Sequence, residues 1–443
     1  MSNITSSGSF LERRFRLREN KTDVKTEILA GITTFMTMAY ILVVNPSILA
    51  DAGMDWGGVF TATVLSAAIA TLLMGLLANY PFALAPGMGL NAFFAYSVVL
   101  GMSKSWQFAL TAVFIEGIIF ILLSLVKVRE AIFNAIPMNL KKAVSVGIGL
   151  FIALIGLVNA GVVVPGDGTI VGLGNITSRG PLLALIGLII TGLLLARKVK
   201  GALFFGIIIT TIIGIPLGVT PLPEGFIQAP PSLSQVAFKF EWNQIFTFDM
   251  LVVMFTFLFV DIFDTVGTLV GVASKAKMLD KDGKLPKLSQ ALFSDAIGTT
   301  VGALLGTSTV TTYVESAAGV AEGGRTGLTS FTTAVMFILA LFFSPIFSII
   351  PAEATAAALV LVGLFMMSPI KEIDLSDFTE AIPAFLTIVM MPFAYSIAQG
   401  IVFGMVSYVV LKLITGKHKD ISVVMYILAL LFVLKEILPL ITG

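Results

Sequence analysis

The chain has no cysteine and a single histidine. The first absence excludes disulfides, thiolate metal sites, haem thioether links and cysteine nucleophiles. The second excludes His-based triads and multi-histidine metal centres, because His418 stands alone in the basic stretch 416–419. Neither a metal nor an organic cofactor is expected. Charge is scarce too: Lys, Arg, Asp and Glu make up 12% of 443 residues, about half the share of a soluble domain. With 27 basic against 26 acidic residues the net charge is +1, which argues for no nucleic-acid or polyanionic partner.

What is abundant is apolar sequence, 57% of the chain. At roughly 20 residues per crossing, fourteen crossings would use about 280 positions and leave about 160 for loops and tails, too few for a separate soluble domain. The bilayer is therefore the expected solvent. Apolar runs fall at 28–45, 58–80, 87–101, 106–126, 142–160, 181–196, 201–219, 250–272, 290–306, 313–321, 327–350, 354–368, 379–394 and 397–415. A further apolar piece, 421–441, carries Lys435, Glu436 and Pro439 near its end and is read as peripheral. Residues 1–27 carry six basic side chains and no apolar core, which reads as a cytoplasmic tail and not as a cleaved signal. With the N-terminus inside and every run crossing, 23 of the 27 basic residues fall on the cytoplasmic side, among them Lys127, Arg129 and the SKAKMLDKDGKLPK loop. Only Lys104, Arg179 and Lys239 fall outside. That bias is the signature of positive-inside insertion into the cytoplasmic membrane.

Two runs are wrong for simple crossings. The third, GMGLNAFFAYSVVLG, is short and follows the proline-rich NYPFALAP; the tenth, YVESAAGVA, is shorter and follows GTSTVTT, whose β-branched content favours an extended strand. Extended backbone survives in a membrane only where protein or a watery cavity covers it. Both runs are third of seven. Pro137 to Phe151 (PMNLKKAVSVGIGLF) also echoes Pro351 to Phe365 (PAEATAAALVLVGLF), with Pro, Val, Gly, Leu and Phe at one offset. Because seven is odd, two seven-span halves have opposite topology. The expected fold is thus an all-α polytopic bundle of about fourteen spans in a seven-plus-seven inverted repeat, with two short half-helices each preceded by a strand. Such paired, interrupted helices mark a transporter with its site near the bilayer midplane.

Acids inside spans are costly and rarely idle. Span eight, MFTFLFVDIFDTVGTLVG, holds Asp261 and Asp264 on one helical face, and Glu315 sits in the short tenth span. No Lys or Arg lies in any span except near cytoplasmic ends, so mid-depth pairing partners are missing, and desolvation makes these acids candidates for carrying a proton. Asp295, at the start of span nine, reads either as a helix cap or as a proton-linked acid. Glu116 in span four is ambiguous. The N-terminal ends of the short helices, Gly87 to Asn91 and Thr312 to Glu315, are expected to face each other and a ligand. Gly87 and Gly89 suit either close approach of a planar solute or close helix packing. Asn91 can donate and accept, and the Phe93 and Phe94 rings suit stacking on a flat solute or packing in the bundle.

The segments GITTFMTMAYILVVNP, PFALAPGMGLNAFFAY, DIFDTVGTLVG and TSTVTTYVESAAGVAEGGRTGLTS, in this order and spacing, resemble the AzgA-like purine permeases of the nucleobase–cation symporter superfamily. The resemblance runs from about residue 10 to residue 415. It implies proton-coupled uptake of adenine, guanine or hypoxanthine, with Asn91, Asp261 and Glu315 contacting the base and Asp264 linked to the proton. It also implies a core domain (27–126 and 250–350) moving against a gate domain (127–219 and 351–415), with a tail at 1–26, an outer loop at 220–249 and a basic tail with its apolar segment at 416–443. A homodimer is left open. The rival reading is an anion permease of sulfate or bicarbonate type on the same fold, against which the three mid-span acids argue. An intramembrane hydrolase using two aspartates fits poorly, because paired catalytic carboxylates usually come from separate elements.

Overall fold

A computed structural model describes residues 10–126, 136–166, 168–223, 225–280 and 285–442. The expected loop positions Lys127 and Arg129, residues 281–284 of the basic loop, and residues 1–9 of the tail lie outside the described residues. The chain runs through α1 (Phe10–Phe15), α2 (Val24–Met38), α3 (Ile41–Asp51), α4 (Trp56–Leu73), β1 (Leu84–Pro86), α5 (Met88–Ala92, continued by π-helical Phe93–Gly101), α6 (Trp106–Val126) and α7 (Met138–Asn159). After the hairpin β2 (Val163–Gly166) and β3 (Thr169–Leu173) come α8 (Arg179–Ala196), α9 (Ala202–Gly214), α10 (Phe248–Lys275) and α11 (Leu288–Leu305). The rest is β4 (Val310–Thr312), α12 (Ser316–Ala321), α13 (Gly327–Ala340, prolonged to Ser348), α14 (Ala352–Met366), α15 (Phe378–Phe393), α16 (Ile397–Ile414) and α17 (Val423–Thr442).

All fourteen apolar runs are helical. Nine helical stretches among the described residues are long and apolar enough to cross a membrane. Four differences from the expected reading matter. The first run is not one helix: α2 and α3 part at Ala39 and Tyr40, and Pro46 lies inside α3, where it denies the Leu42 carbonyl its partner. Asp295 does not cap a helix, because α11 starts at Leu288 behind Lys287 and Asp295 lies two turns inside. The segment after the basic tail forms α17, whose Met425 and Phe432 are buried; the Phe432 and Phe255 rings meet at 5.8 Å, so α17 leans on α10 as well as on α16. The β2–β3 hairpin was not expected, although the Pro-Gly-Asp-Gly run at its turn is a hairpin signal.

The helices pack in two groups. In one, α11 lies on α4 and α6, α13 on α2 and α4, and α10 on α6. In the other, α7 lies on α14 and α15, α15 on α16, and α8 on α9 and α14. Close approach in the second group rests on glycine: a Cβ on Gly149 would meet the Gly363 carbonyl at 2.5 Å, and one on Gly363 would meet the Gly149 carbonyl at 2.4 Å. These two glycines are equivalents in the sequence echo, and they sit face to face across the repeat. In the first group Glu27 is fully buried and accepts from Arg325 N (2.8 Å), Thr329 N (3.1 Å) and Thr329 Oγ1 (2.6 Å). It thereby serves the orphan amides at the start of α13, so this membrane acid has a structural job.

The groups touch at both ends. At one, Tyr96 donates to Asp51 Oδ2 at 2.6 Å and Asn159 Nδ2 donates to the same oxygen at 3.2 Å. At the other, Lys200 pairs with Glu322.

Candidate functional site

Two short extended segments meet at the centre of the first group. β1 and β4 pair antiparallel with Leu84 opposite Thr312, Ala85 opposite Thr311 and Pro86 opposite Val310. Flanking bonds lengthen the ladder: Gly87 N donates to Thr309 O (2.9 Å) and Tyr313 N to Ala83 O (3.0 Å). Three residues per strand cannot satisfy their own backbone, and an orphan peptide group in a membrane interior costs several kcal/mol. The surrounding hydroxyls settle the account. Thr71 of α4 accepts from Leu84 N (2.9 Å) and donates to Leu84 O (3.1 Å). Thr299 of α11 does the same for Val310, at 3.2 and 2.9 Å. These clamps are counterparts in the two repeats. Ser316 Oγ receives Ala83 N at 3.0 Å, and the Tyr313 hydroxyl donates to Pro86 O.

Around this frame lie the sequence-predicted residues. Glu315 stands just before α12, without capping it, and is half-buried; its Oε1 accepts from Tyr40 Oη at 2.7 Å. The Thr37 hydroxyl lies 3.4 Å from the Glu315 carbonyl. Asp264, also half-buried, is close enough to Glu315, Tyr40 and Tyr313 to interact with each electrostatically. Thr312 Oγ1 is buried and has no hydrogen-bond partner among the described residues. Among the described residues no Lys or Arg acts on Asp264 or Glu315. Asp264, Glu315, Tyr40 and Tyr313 thus form one acidic, hydroxyl-bearing corner beside the strand ends, and Thr312 stands in β4 just before it.

The other predicted residues stand behind the strands. Asn91 is fully buried; its Oδ1 accepts from Ser308 Oγ and its Nδ2 reaches Pro86 O at 3.4 Å. Asp261 is fully buried, with Oδ1 accepting from Thr265 Oγ1 at 2.9 Å. The same hydroxyl lies 3.1 Å from Asp295 Oδ1 and 2.7 Å from Thr311 Oγ1, which ties α10, α11 and β4 together. Phe93 is buried edge-on against Phe257, with centroids 4.7 Å apart. A Cβ on Gly87 would lie 2.5 Å from Thr311 Cγ2, and one on Gly89 would lie 2.8 Å from Ile148 Cγ2. Gly87 thus lets the strands close, and Gly89 lets α7 of the second group approach α5. Sequence reasoning missed Tyr40, since an aromatic in an apolar run carries no mark of its partner; Pro46, six residues on, was the available signal that the first span is irregular.

The Xan_ur_permease profile, described as a permease family, matches residues 25–403. The chain is 53% identical over 426 residues to the permease MJ0326 of Methanocaldococcus jannaschii, covering 96% of this chain and 98% of the other. It is 45% identical to the adenine permease AdeP of Escherichia coli, covering 97% of each. It is 47% identical to the guanine/hypoxanthine permease PbuG of Bacillus subtilis, covering 95% and 98%. The transmembrane domain of the cyanobacterial bicarbonate transporter BicA superposes with a TM-score of 0.65 at 18% identity, over 86% of this chain and 96% of that one, which is a likeness of fold. With the profile spanning most of its length, and with relatives at this identity covering nearly all of it, the chain belongs to the permease family, a multi-pass transporter among the AzgA-like members.

Proposed function

We propose that this protein imports purine nucleobases, adenine, guanine or hypoxanthine, across the cytoplasmic membrane together with protons. The observation that carries the reading is the closeness of two half-buried carboxyl groups, Asp264 and Glu315, with the Tyr40 hydroxyl on Glu315 and, among the described residues, no Lys or Arg acting on either acid. A purine presents N–H groups and ring nitrogens along one edge, and this corner offers carboxylate acceptors and a hydroxyl that can donate or accept. The names of the adenine and guanine/hypoxanthine permease relatives support the same substrate class. In this reading Glu315, held by Tyr40, accepts a ring N–H, Asp264 carries the coupled proton, and Asn91, Asp261 and Asp295 act from behind the strands by fixing their ends. Phe93, Gly87 and Gly89 shape the walls.

Transport proceeds by alternating access: the group holding β1 and β4 is the core, and the group of α7 to α9 with α14 to α16 is the gate. The mouth links Tyr96–Asp51–Asn159 and Lys200–Glu322 are contacts such a motion must break and remake. The basic-residue bias supports an N-terminus in the cytoplasm. An anion substrate, suggested by the fold likeness to a bicarbonate transporter, is disfavoured because two acids would repel it at close range. Uptake by the purified protein in liposomes, comparing labelled adenine, guanine and hypoxanthine with sulfate and bicarbonate, tests the reading. Base uptake that sulfate does not inhibit is expected; uptake of the anions alone would overturn it.

A further inference from the structure

The apolar segment after the basic tail takes no part in the site as described, yet it touches both helix groups. Its start is held by charge. Lys412, in the last turn of α16, is 3% exposed, and its Nζ lies 2.8 Å from Glu380 Oε1 of α15. Asp420 Oδ2, in the turn that leads into α17, lies 3.4 Å from the same ammonium. The Tyr408 ring of α16 is centred 5.4 Å from Nζ, and its hydroxyl donates to the Asp420 carbonyl at 3.4 Å. Beside them Lys417 donates to Asp377, the cap of α15, at 2.6 Å. Pulling the acids away would leave a buried ammonium uncompensated. This corner is therefore a rigid joint between α17 and the second group.

The far side of α17 is different in kind. It meets α10 of the first group through the Phe432 and Phe255 rings, 5.8 Å apart. Beside the rings a crevice of about 180 Å³ is lined by Leu428 and Leu431 of α17, Leu251 and Met254 of α10 and Ile119 of α6, all apolar. Close-packed interiors hold few voids larger than a water, so these faces do not interlock. In a bilayer, apolar side chains gain little from each other that lipid tails would not also supply; close packing and hydrogen bonds are what hold helices together. A contact made of apolar side chains around a gap can slide with little loss.

We propose that α17 is a strap fixed to the gate by the Lys412 joint, and that α10, the helix carrying Asp261 and Asp264, slides along it as the core moves. The strap rests on the alternating-access reading above, since without two moving groups nothing slides. It gives the segment beyond the fourteen runs a task, which is to follow the gate while keeping contact with the helix that bears the site acids.

The chain has no native cysteine, so introduced pairs report this cleanly. Met254→Cys and Leu431→Cys line one crevice, and a reducible bis-methanethiosulfonate bridge between them ties α17 to α10. The bridge should lower base uptake by the full-length protein in liposomes about tenfold or more, with recovery on reduction. Uptake unchanged by a complete bridge overturns the strap. Spin labels give a readout that does not depend on uptake. With labels on Val410→Cys of α16 and Leu430→Cys of α17, both exposed, the distance should stay single and narrow with or without adenine. With labels on Leu430→Cys and Val270→Cys of α10 it should take two values, whose weights a bound base shifts. A single α10–α17 distance, or a split α16–α17 one, overturns the proposal. Lys412→Met should broaden the α16–α17 distance, and a distribution as narrow as that of the unmodified protein would remove Lys412 as the joint. Absence of base uptake by the unmodified protein, with two α10–α17 distances still observed, would sink the transport reading alone.

Discussion

Replacing Tyr40 by Phe removes one hydroxyl and leaves the ring. Tyr40 is 1% exposed and its Oη donates to Glu315 Oε1 at 2.7 Å, a length suited to a charge-assisted bond. A hydrogen bond to a charged group contributes about 1.5–3 kcal/mol net. Glu315 is half-buried, so solvent screens part of its charge and the lower end of that range, about 1.5–2 kcal/mol, is the fitting choice. At about 1.4 kcal/mol per tenfold, this amounts to about ten- to thirtyfold. No neighbour replaces the donor, because the Tyr313 hydroxyl is committed to Pro86 O and the Thr37 hydroxyl reaches the Glu315 carbonyl, not its carboxyl group. Tyr40→Phe should therefore raise KM for the preferred base by about ten- to thirtyfold, with membrane abundance unchanged. The assay is initial-rate uptake in vesicles across a concentration series, normalised to transporter quantified by immunoblot. A wild-type KM in Tyr40→Phe would refute the claim that Glu315, oriented by Tyr40, meets the base.

Asp264→Asn imitates a permanently protonated acid, and counterflow exchange of base should survive while accumulation against a gradient is lost; loss of binding together with uptake would make Asp264 a ligand or a brace. Gly149→Ala would set a Cβ 2.5 Å from Gly363 O and 3.1 Å from Met366 Cβ, and backbone must move to admit it. Detergent-solubilised Gly149→Ala should unfold at lower temperature, with a loss of about 1–3 kcal/mol, and a melting curve identical to wild type would show that α7 and α14 are less tightly apposed. Outside the spans, Asp377 caps α15, and its carboxyl is held well below the usual aspartate range by the Lys417 ammonium, then by the amide and hydroxyl of Thr379. A depressed folded pKa gives stability that is present above the unfolded value and lost only as pH falls through the folded one. Because the chain has no native cysteine, a dye on Lys419→Cys reports the tail cleanly: its anisotropy should hold from about pH 7 to about pH 4, whereas Asp377→Asn should free the tail at neutral pH, and parallel curves would disprove the link.

The bundle was legible because bilayer thickness imposes its own period on the sequence. The two strands were legible as well, from Thr309 to Thr312 with their β-branched side chains and from the prolines around Leu84. What the sequence hides is partnership across distance. Thr71 and Thr299 look like ordinary span residues, and only the fold shows that each closes one strand's backbone. Asp261 and Asp264 are three residues apart on one helix, yet one is fully buried among Thr265 and Glu116 and the other is half-buried toward Glu315. A shift of about 60° around a helix suffices for that difference, and periodicity cannot say which side holds the cavity. Glu27, one residue before the first apolar run, carries no mark in the sequence; the amides of Arg325 and Thr329, some 300 positions away, make it a helix cap.

The central claim is that base and proton move together through the acidic corner. Its most direct test is simultaneous measurement of labelled base and internal pH in liposomes holding the purified protein, with an imposed inward proton gradient. The account predicts that added purine base enters with protons, accumulates, and stops accumulating when an uncoupler collapses the gradient, while a sodium gradient at equal pH drives nothing. Accumulation driven by sodium alone, or base entry without proton movement, would contradict it.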